Sequence, residues 1–355
     1  PPPPPPTTPP RLLRRQRQMC IRDSHNPTHQ YVEPLHGFCY RFVRSLVSTP
    51  ARRPTPTSAT PIDRTGWWAL AIACSSLVVT MLDSGGANLA FPFIEDTFPT
   101  TARSTLAWIL SIYWITLAAL LLPAGRWADG VGRRRAFRLG ISVFALGSLL
   151  TAASPTPVWM IAARCVQGVG SAFMTATALA IALPALPADR RAFGVGVFGT
   201  SGAVAAALGP TIGAVVVEWF GWRSVFLVPM PIALASATVA GRVLVETKVE
   251  GASRNLDPVG TVLGAIAVAD LTLLVLQAPR WGWVDGRTLL VAAVVAVSGP
   301  AFVLWSLRSS DPLLQVALLA ERRFLVGNLN QLATQVAIFA WFISTPLFLV
   351  NVWGW

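Results

Sequence analysis

The sequence predicts an all-α polytopic membrane protein, and three observations carry that prediction. Charge is scarce: of 355 residues 12% are charged and 53% hydrophobic, with a mean hydropathy of +0.55, whereas a soluble domain is about a quarter charged. Apolar runs recur at about the 20-residue length that crosses a bilayer as a helix. The net charge of +12 is carried almost wholly by Arg, in a tail and in alternate connecting segments. Short loops rich in Arg and Lys are retained on the cytoplasmic side.

These features also exclude function classes. A basic soluble protein would suggest nucleic acid; here topology accounts for the Arg residues, so the expected partners are the lipid bilayer and a small-molecule substrate. Of the four Cys, Cys20 and Cys39 fall in the tail and Cys74 and Cys165 inside apolar runs, without CxxC spacing, which argues against a disulfide framework or a metal site. The three His (His25, His29 and His36) all precede the apolar runs. With no His in the spans, hydrolytic and metal chemistry lose their usual residues. No enzyme activity, cofactor or metal is expected.

Residues 1–66 open with six prolines and show no sustained periodicity. They predict a disordered basic tail attracted to anionic lipid. Its stretch 15–24, Arg-Gln-Arg-Gln-Met-Cys-Ile-Arg-Asp-Ser, resembles translated sequencing-adapter read-through, so part of the tail is read as a gene-model artefact.

Nine spans follow. The first covers 67–91, with Trp67 and Trp68 as an interfacial anchor and Pro92 closing it before Glu95 and Asp96. The next five are 106–124, 139–153, 158–183, 193–217 and 225–244, with Glu218 at the outer end of the fifth. A polar linker, 246–257, holds Glu246, Lys248, Glu250, Arg254 and Asp257. Spans at 258–276 and 289–307 flank a Trp281-Gly282-Trp283 turn, and the ninth is 324–350. Asp257 as N-cap and Pro258 at the first helical position are sound helix-start chemistry. Alternation puts thirteen basic residues inside (Arg126, Arg133, Arg134, Arg135, Arg138, Arg190, Arg191, Arg242, Lys248, Arg254, Arg308, Arg322, Arg323) and four outside (Arg103, Arg223, Arg280, Arg287). That bias places the N-terminus in the cytoplasm.

The connector after the second span reads Gly125-Arg126-Trp127-Ala128-Asp129-Gly130-Val131-Gly132-Arg133-Arg134-Arg135. Gly125 allows close approach of a neighbouring helix. Asp129 can pair with Arg133 or Arg134 and can sit near a helix N-terminus, where negative charge is favoured. Gly132 permits a positive-φ turn. The stretch resembles the loop between the second and third helices of the major facilitator superfamily, Gly-x-Leu-Ala-Asp-Arg-x-Gly-Arg-Lys/Arg, with Trp127 for Leu and Gly130 for Arg. In that family the loop latches two halves of the protein together on the cytoplasmic side. The resemblance therefore marks Gly125, Asp129, Gly132, Arg133 and Arg134 as a cytoplasmic gate loop.

The first span carries Leu82-Asp83-Ser84-Gly85-Gly86-Ala87-Asn88-Leu89-Ala90-Phe91-Pro92. It is similar to the Leu-Asp-x-x-x-x-Asn-x-Ala-x-Pro motif of drug:proton antiporters with fourteen helices. A carboxyl inside an apolar run is costly when ionised, and burial favours its protonated form. Such a group is a functional candidate, and reversible protonation is what a proton carrier needs. The alternative is that Asp83 lies near the outer interface and is merely hydrated.

The fourth span carries Arg164-Cys165-Val166-Gln167-Gly168-Val169-Gly170, which resembles the family's Arg-x-x-Gln-Gly-x-Gly motif. Arg164 needs a partner or a water-filled cavity, and Asp83 is the acid available in the first four spans. Gln167 shares its helix face. The resemblance places Arg164 beside the substrate path and in proton coupling, with Asn88 and Gln167 on that path. The alternative is a structural Arg reaching backbone carbonyls.

In the fifth span Ala205, Gly209 and Gly213 recur every fourth residue, the spacing of tight helix packing in lipid, and Pro210 favours a kink. The stretch resembles the antiporter motif Gly-x-x-x-Gly-Pro-x-x-Gly-Gly, with Ala205 and Ala214 at two Gly positions; Gly209, Pro210 and Gly213 carry the match. Trp222-Arg223-Ser224-Val225-Phe226 is similar to the family's lead into its sixth helix. Leu256-Asp257-Pro258-Val259-Gly260 resembles the start of two helices added in the fourteen-helix subgroup. Asp270, mid-run in the seventh span, is either a second cation site or an acid facing a polar patch.

The resemblance implies a major facilitator fold: an N-terminal six-helix half (67–245), a polar linker with two inserted helices (246–307), and the start of a C-terminal half (308–355). Five further helices of a fourteen-helix protein are missing, so a truncated chain is expected, unable to transport without the rest of its C-terminal half. The implied function is proton-coupled export of small amphipathic molecules, as in multidrug or secondary-metabolite efflux. It would run by alternating access in the cell membrane, with the proton gradient as energy source. Import of a metabolite on the same fold is the alternative, against which Gly209-Pro210 and the inserted helix pair argue.

Overall fold

The computed structural model describes residues 60–248, 257–309 and 312–353, with side chains as far as residue 337 in the last helix. Most of the predicted tail, with its Cys and His residues, and the linker residues Glu250 and Arg254 lie outside the described residues. Every long element is a helix: α1 Arg64–Thr97, α2 Trp108–Val131, α3 Arg133–Ala152, α4 Pro157–Ala185, α5 Arg191–Phe220, α6 Pro229–Val243, α7 Pro258–Trp281, α8 Gly286–Arg308 and α9 Arg322–Trp353. Short helical turns, Arg103–Leu106 and Trp222–Val225, lead into α2 and α6. Eight segments among the described residues are long and apolar enough to cross a bilayer, which makes this a multi-pass membrane protein.

Helix starts follow local chemistry. Asp63 caps α1 by accepting from Gly66 N at 2.7 Å, three residues inside the stretch assigned to the tail. Asp257 caps α7 by accepting from Gly260 N at 2.9 Å, with Pro258 at the first helical position. The connector 125–135 is shorter than predicted. The α2 helix runs to Val131 and α3 begins at Arg133, so Gly132, at φ +126°, is the one break. Arg126 and Asp129 lie in the closing turns of α2, where side chains reach the polar boundary without ending the helix. Pro92 does not close α1 either. The helix continues to Thr97, because one lost hydrogen bond is tolerated in a packed membrane helix. Gly125 is not at a tight approach: a methyl there would meet Ala176 Cβ at an ordinary 3.7 Å.

The α1 helix packs on α5, α4 and α6; α4 packs also on α2 and α3; α6 closes against α3. Two large apolar clusters and a small one of Ala73, Ala178 and Ala182 form the core of this six-helix bundle. One gathers Tyr113, Phe137, Ile141, Phe144 and Met174; the other gathers Ile94, Ile109, Met160, Trp222 and Phe226. The outward faces carry exposed Leu and Val, such as Leu146, Leu149 and Val215, where lipid tails are the solvent. The α7 and α8 helices pair as a hairpin, and α7 leans on α2. The hairpin is peripheral, with 11% and 17% of its apolar windows buried against 56% in α3 and α4. The α9 helix packs chiefly on the 3-10 turn Val316–Ala320 before it, and its side chains up to residue 337 are exposed.

Candidate functional site

Asp83 and Arg164 meet between the two large apolar clusters, on facing sides of α1 and α4. Arg164 Nη1 donates to Asp83 Oδ2 at 2.6 Å and to Gln167 Oε1 at 2.7 Å, and its Nε donates to Ile109 O at 3.2 Å. Gln167 Nε2 donates to Asp83 Oδ1 at 2.7 Å and to Ser148 Oγ at 2.8 Å. Asp83 and Gln167 are 0% exposed and Arg164 is 1% exposed. The guanidinium lies 4.3 Å over the Tyr113 ring and 5.7 Å from that of Phe226, a cation–π placement that shields its charge. Tyr113 is held in turn by a 2.7 Å bond between its hydroxyl and Ser171 Oγ.

The backbone makes this contact possible. At the α3–α4 crossing a methyl on Gly147 would lie 2.6 Å from Gln167 N, and one on Gly170 would lie 2.6 Å from Gly140 O. Only bare backbone lets Ser148 reach Gln167. Both carboxylate oxygens, both ends of the Gln167 amide and two guanidinium nitrogens are thereby engaged. A closed, dry ion pair of this kind stands or falls together, because a lone buried charge costs several kcal/mol.

The connector residues form a second cluster at one end of the bundle. Asp129 Oδ1 pairs with Arg133, 2.8 Å from its Nη2 and 2.9 Å from its Nε. Arg133 Nη1 also donates to Ala180 O at 3.1 Å, tying α3 to α4. Glu246 Oε1 accepts from Arg134 N at 3.0 Å, Arg134 Nη1 donates to Leu244 O at 2.8 Å, and Arg133 N donates to Thr247 O at 3.1 Å. The residues that follow α6 thus fold back over Gly132 and its arginines.

Asn88 lies apart from the ion pair. It is exposed, donates to Ser84 O at 2.8 Å, and lines a cavity of about 690 Å³ with Ser84, Trp114 and Pro210. Gln167, assigned with it to the substrate path, is enclosed in the ion-pair network instead. The α1–α5 contact beside the cavity is backbone on backbone: a methyl on Gly85 would sit 3.1 Å from Gly209 Cα, and one on Gly213 would sit 3.2 Å from Gly86 Cα. Glu218 is exposed at the end of α5, and Asp270 is half-buried in α7 and does not line the cavity. Sequence reasoning missed Ser148, Tyr113 and the reach of Glu246. Tyr113 had a signal, as the one Tyr within a predicted span; Ser148 beside Gly147 had a weaker one.

The bundle of membrane helices thus holds a buried charge pair with a cavity beside it. The sequence matches the Major Facilitator Superfamily over residues 73–355, and the chain belongs to that family. It is 29% identical over 295 residues to the multidrug resistance protein Stp of Mycobacterium tuberculosis, covering 83% of this chain and 55% of that protein. It is 33% identical to the methylenomycin A resistance protein of Bacillus subtilis, over 82% of this chain and 62% of that protein. The riboflavin transporter RibZ of Clostridioides difficile is 29% identical over 74% of this chain and 56% of its own length. The chain thus spans a little over half the length of these curated relatives. A crystal structure of a point mutant of the peptide transporter POT in complex with sulfate shares the fold at a TM-score of 0.50 and 15% identity, covering 69% of this chain and 53% of that one.

Proposed function

We propose that the full-length protein exports small amphipathic molecules in exchange for protons, by alternating access across the cell membrane, with its Arg-rich connectors and N-terminus on the cytoplasmic side. The observation that carries the proposal is the sealed Asp83–Arg164 pair with both Asp83 oxygens engaged. Protonating Asp83 removes the charge that balances Arg164. The guanidinium keeps Gln167 Oε1 and Ile109 O, but in a dry interior these dipoles do not replace a carboxylate. The α1–α4 contact then loosens, and proton uptake becomes a change in helix packing. The relatives named for drug and antibiotic resistance support the direction and the cargo.

The reading follows a fourteen-helix plan in which α1–α6 form one half, α7 and α8 are inserted, and α9 begins the other. Transport of a fluorescent drug into everted vesicles carrying the full-length protein, with an imposed pH gradient, tests it. Asp83→Asn should abolish gradient-driven transport, and retained transport would sink the role of Asp83. The riboflavin transporter among the relatives favours a second reading, metabolite transport on the same fold. Uptake of labelled metabolites by intact cells with no drug movement in vesicles would select it.

A further inference from the structure

The 690 Å³ cavity has a wall that the six-helix bundle does not provide. Leu271, Thr272, Val275 and Leu276 of α7 line it, at the i, i+1, i+4, i+5 spacing of one helix face. Across from them, Met81, Ser84, Gly85 and Asn88 of α1 line it at i, i+3, i+4, i+7. The volume falls in the range of small-molecule sites, about 300–1,000 Å³.

The chemistry of the lining is selective. It contains no charged side chain. The neighbouring ion pair is enclosed at 0% and 1% exposure, with both Asp83 oxygens engaged, and so offers nothing to a ligand. A cation entering the cavity would give up water without gaining a counter-charge, which is unfavourable. Thr272 spends its hydroxyl hydrogen on Val268 O at 2.7 Å. Ser84 Oγ is buried without a hydrogen-bond partner, and Asn88 keeps capacity beyond the one N–H it gives to Ser84 O. One edge of the cavity is therefore polar and unsatisfied, and the rest is apolar. Leu271 and Val275 are 50% and 63% exposed at its rim. A lipid acyl chain would leave the Ser84 hydroxyl unpaired.

We infer that α7 is a wall of the ligand site, and that the site takes an uncharged, largely apolar molecule with one hydrogen-bonding edge directed at Ser84 and Asn88. The inference rests on the export reading only in taking that molecule to be cargo. N-phenyl-1-naphthylamine, which is neutral, apolar and carries one N–H, is the probe, titrated onto the purified protein in lipid nanodiscs and read by the rise in its own fluorescence over empty nanodiscs. Saturable binding is expected, undisplaced by a tenfold excess of tetraphenylphosphonium.

Thr272→Trp, which pushes an indole into the cavity, should weaken binding at least tenfold. Ser84→Ala should weaken it roughly fivefold, the loss of one hydrogen bond. Val262→Trp, on the lipid side of α7 at 56% exposure, should leave it unchanged. Should Thr272→Trp misfold, Leu276→Ala enlarges the same wall and should shift preference toward a bulkier neutral probe. Wild-type affinity in Thr272→Trp and unchanged preference in Leu276→Ala would remove α7 from the site. Displacement by the phosphonium would overturn the ligand class, and unsaturable signal would reduce the binding to lipid partition. None of these readouts needs a proton gradient. Lost export with α7-dependent binding intact would sink the transport reading alone; export with α7-independent binding would sink the site alone.

Discussion

Replacing Asp83 by Asn leaves Arg164 charged, 1% exposed and facing an amide in place of a carboxylate. The Asn nitrogen must also point at one of two donors, Arg164 Nη1 or Gln167 Nε2, which stood 2.6 and 2.7 Å from the Asp83 oxygens. Uncoupling one member of a buried pair costs about 3–5 kcal/mol. Arg164→Met should cost a similar amount by stranding the carboxylate. The double variant Asp83→Asn/Arg164→Met removes both charges and should be less destabilised than the sum of its parts by about 2 kcal/mol. Unfolding of the purified protein in mixed micelles with increasing dodecyl sulfate, followed by circular dichroism, measures all three. Single variants that each cost below about 1 kcal/mol, the worth of an exposed pair, or a strictly additive double variant, would refute the sealed-pair account.

The remaining predictions concern packing and the second cluster. Gly170→Val drives side-chain atoms into the Gly140 and Phe144 backbone and should lower stability in the same assay by about 3 kcal/mol or abolish folding. Gly196→Ala and Gly199→Ala meet nothing within 4 Å and should raise it by about 0.5 kcal/mol each through helix propensity. Glu246→Gln weakens a partly exposed contact with Arg134 and Arg135. It should cost less than about 1 kcal/mol while speeding tryptic cleavage after Lys248, visible on a gel. Tyr113→Phe loses the bond to Ser171 but keeps its ring under Arg164, so a loss near about 1 kcal/mol is expected.

The helices were legible because lipid demands long uninterrupted apolar runs, and that demand is written locally. Their ends were less so. Pro92 and Arg126 look like stops in sequence, yet α1 and α2 run through them, since membrane-edge turns tolerate both a missing hydrogen bond and a charge. The Asp83–Arg164 pairing could be anticipated, because charge in an apolar span must be balanced and few partners exist. That Gln167 would close the network with Ser148 rather than face a cavity could not: it depends on how near α3 comes to α4 at Gly147 and Gly170. The fold-back of Glu246 onto Arg134 spans 112 residues, and the α7 wall is a tertiary placement. No local pattern encodes either.

At the α1–α5 crossing, Gly85 lies against the Gly209 backbone and Gly213 against the Gly86 backbone, with Pro210, Leu89 and Val225 packed around the contact. Most helix pairs mesh like gears, and ridges must climb out of grooves before one helix can slide on the other. Here the teeth are missing. The crossing is shallow at these four positions, with backbone close enough for dispersion to hold it. The stiff member of α1 lies immediately before it, at Asp83, pinned to α4. The pinned residue and the bare-backbone contact thus sit within one turn of α1, in the run Asp83-Ser84-Gly85-Gly86.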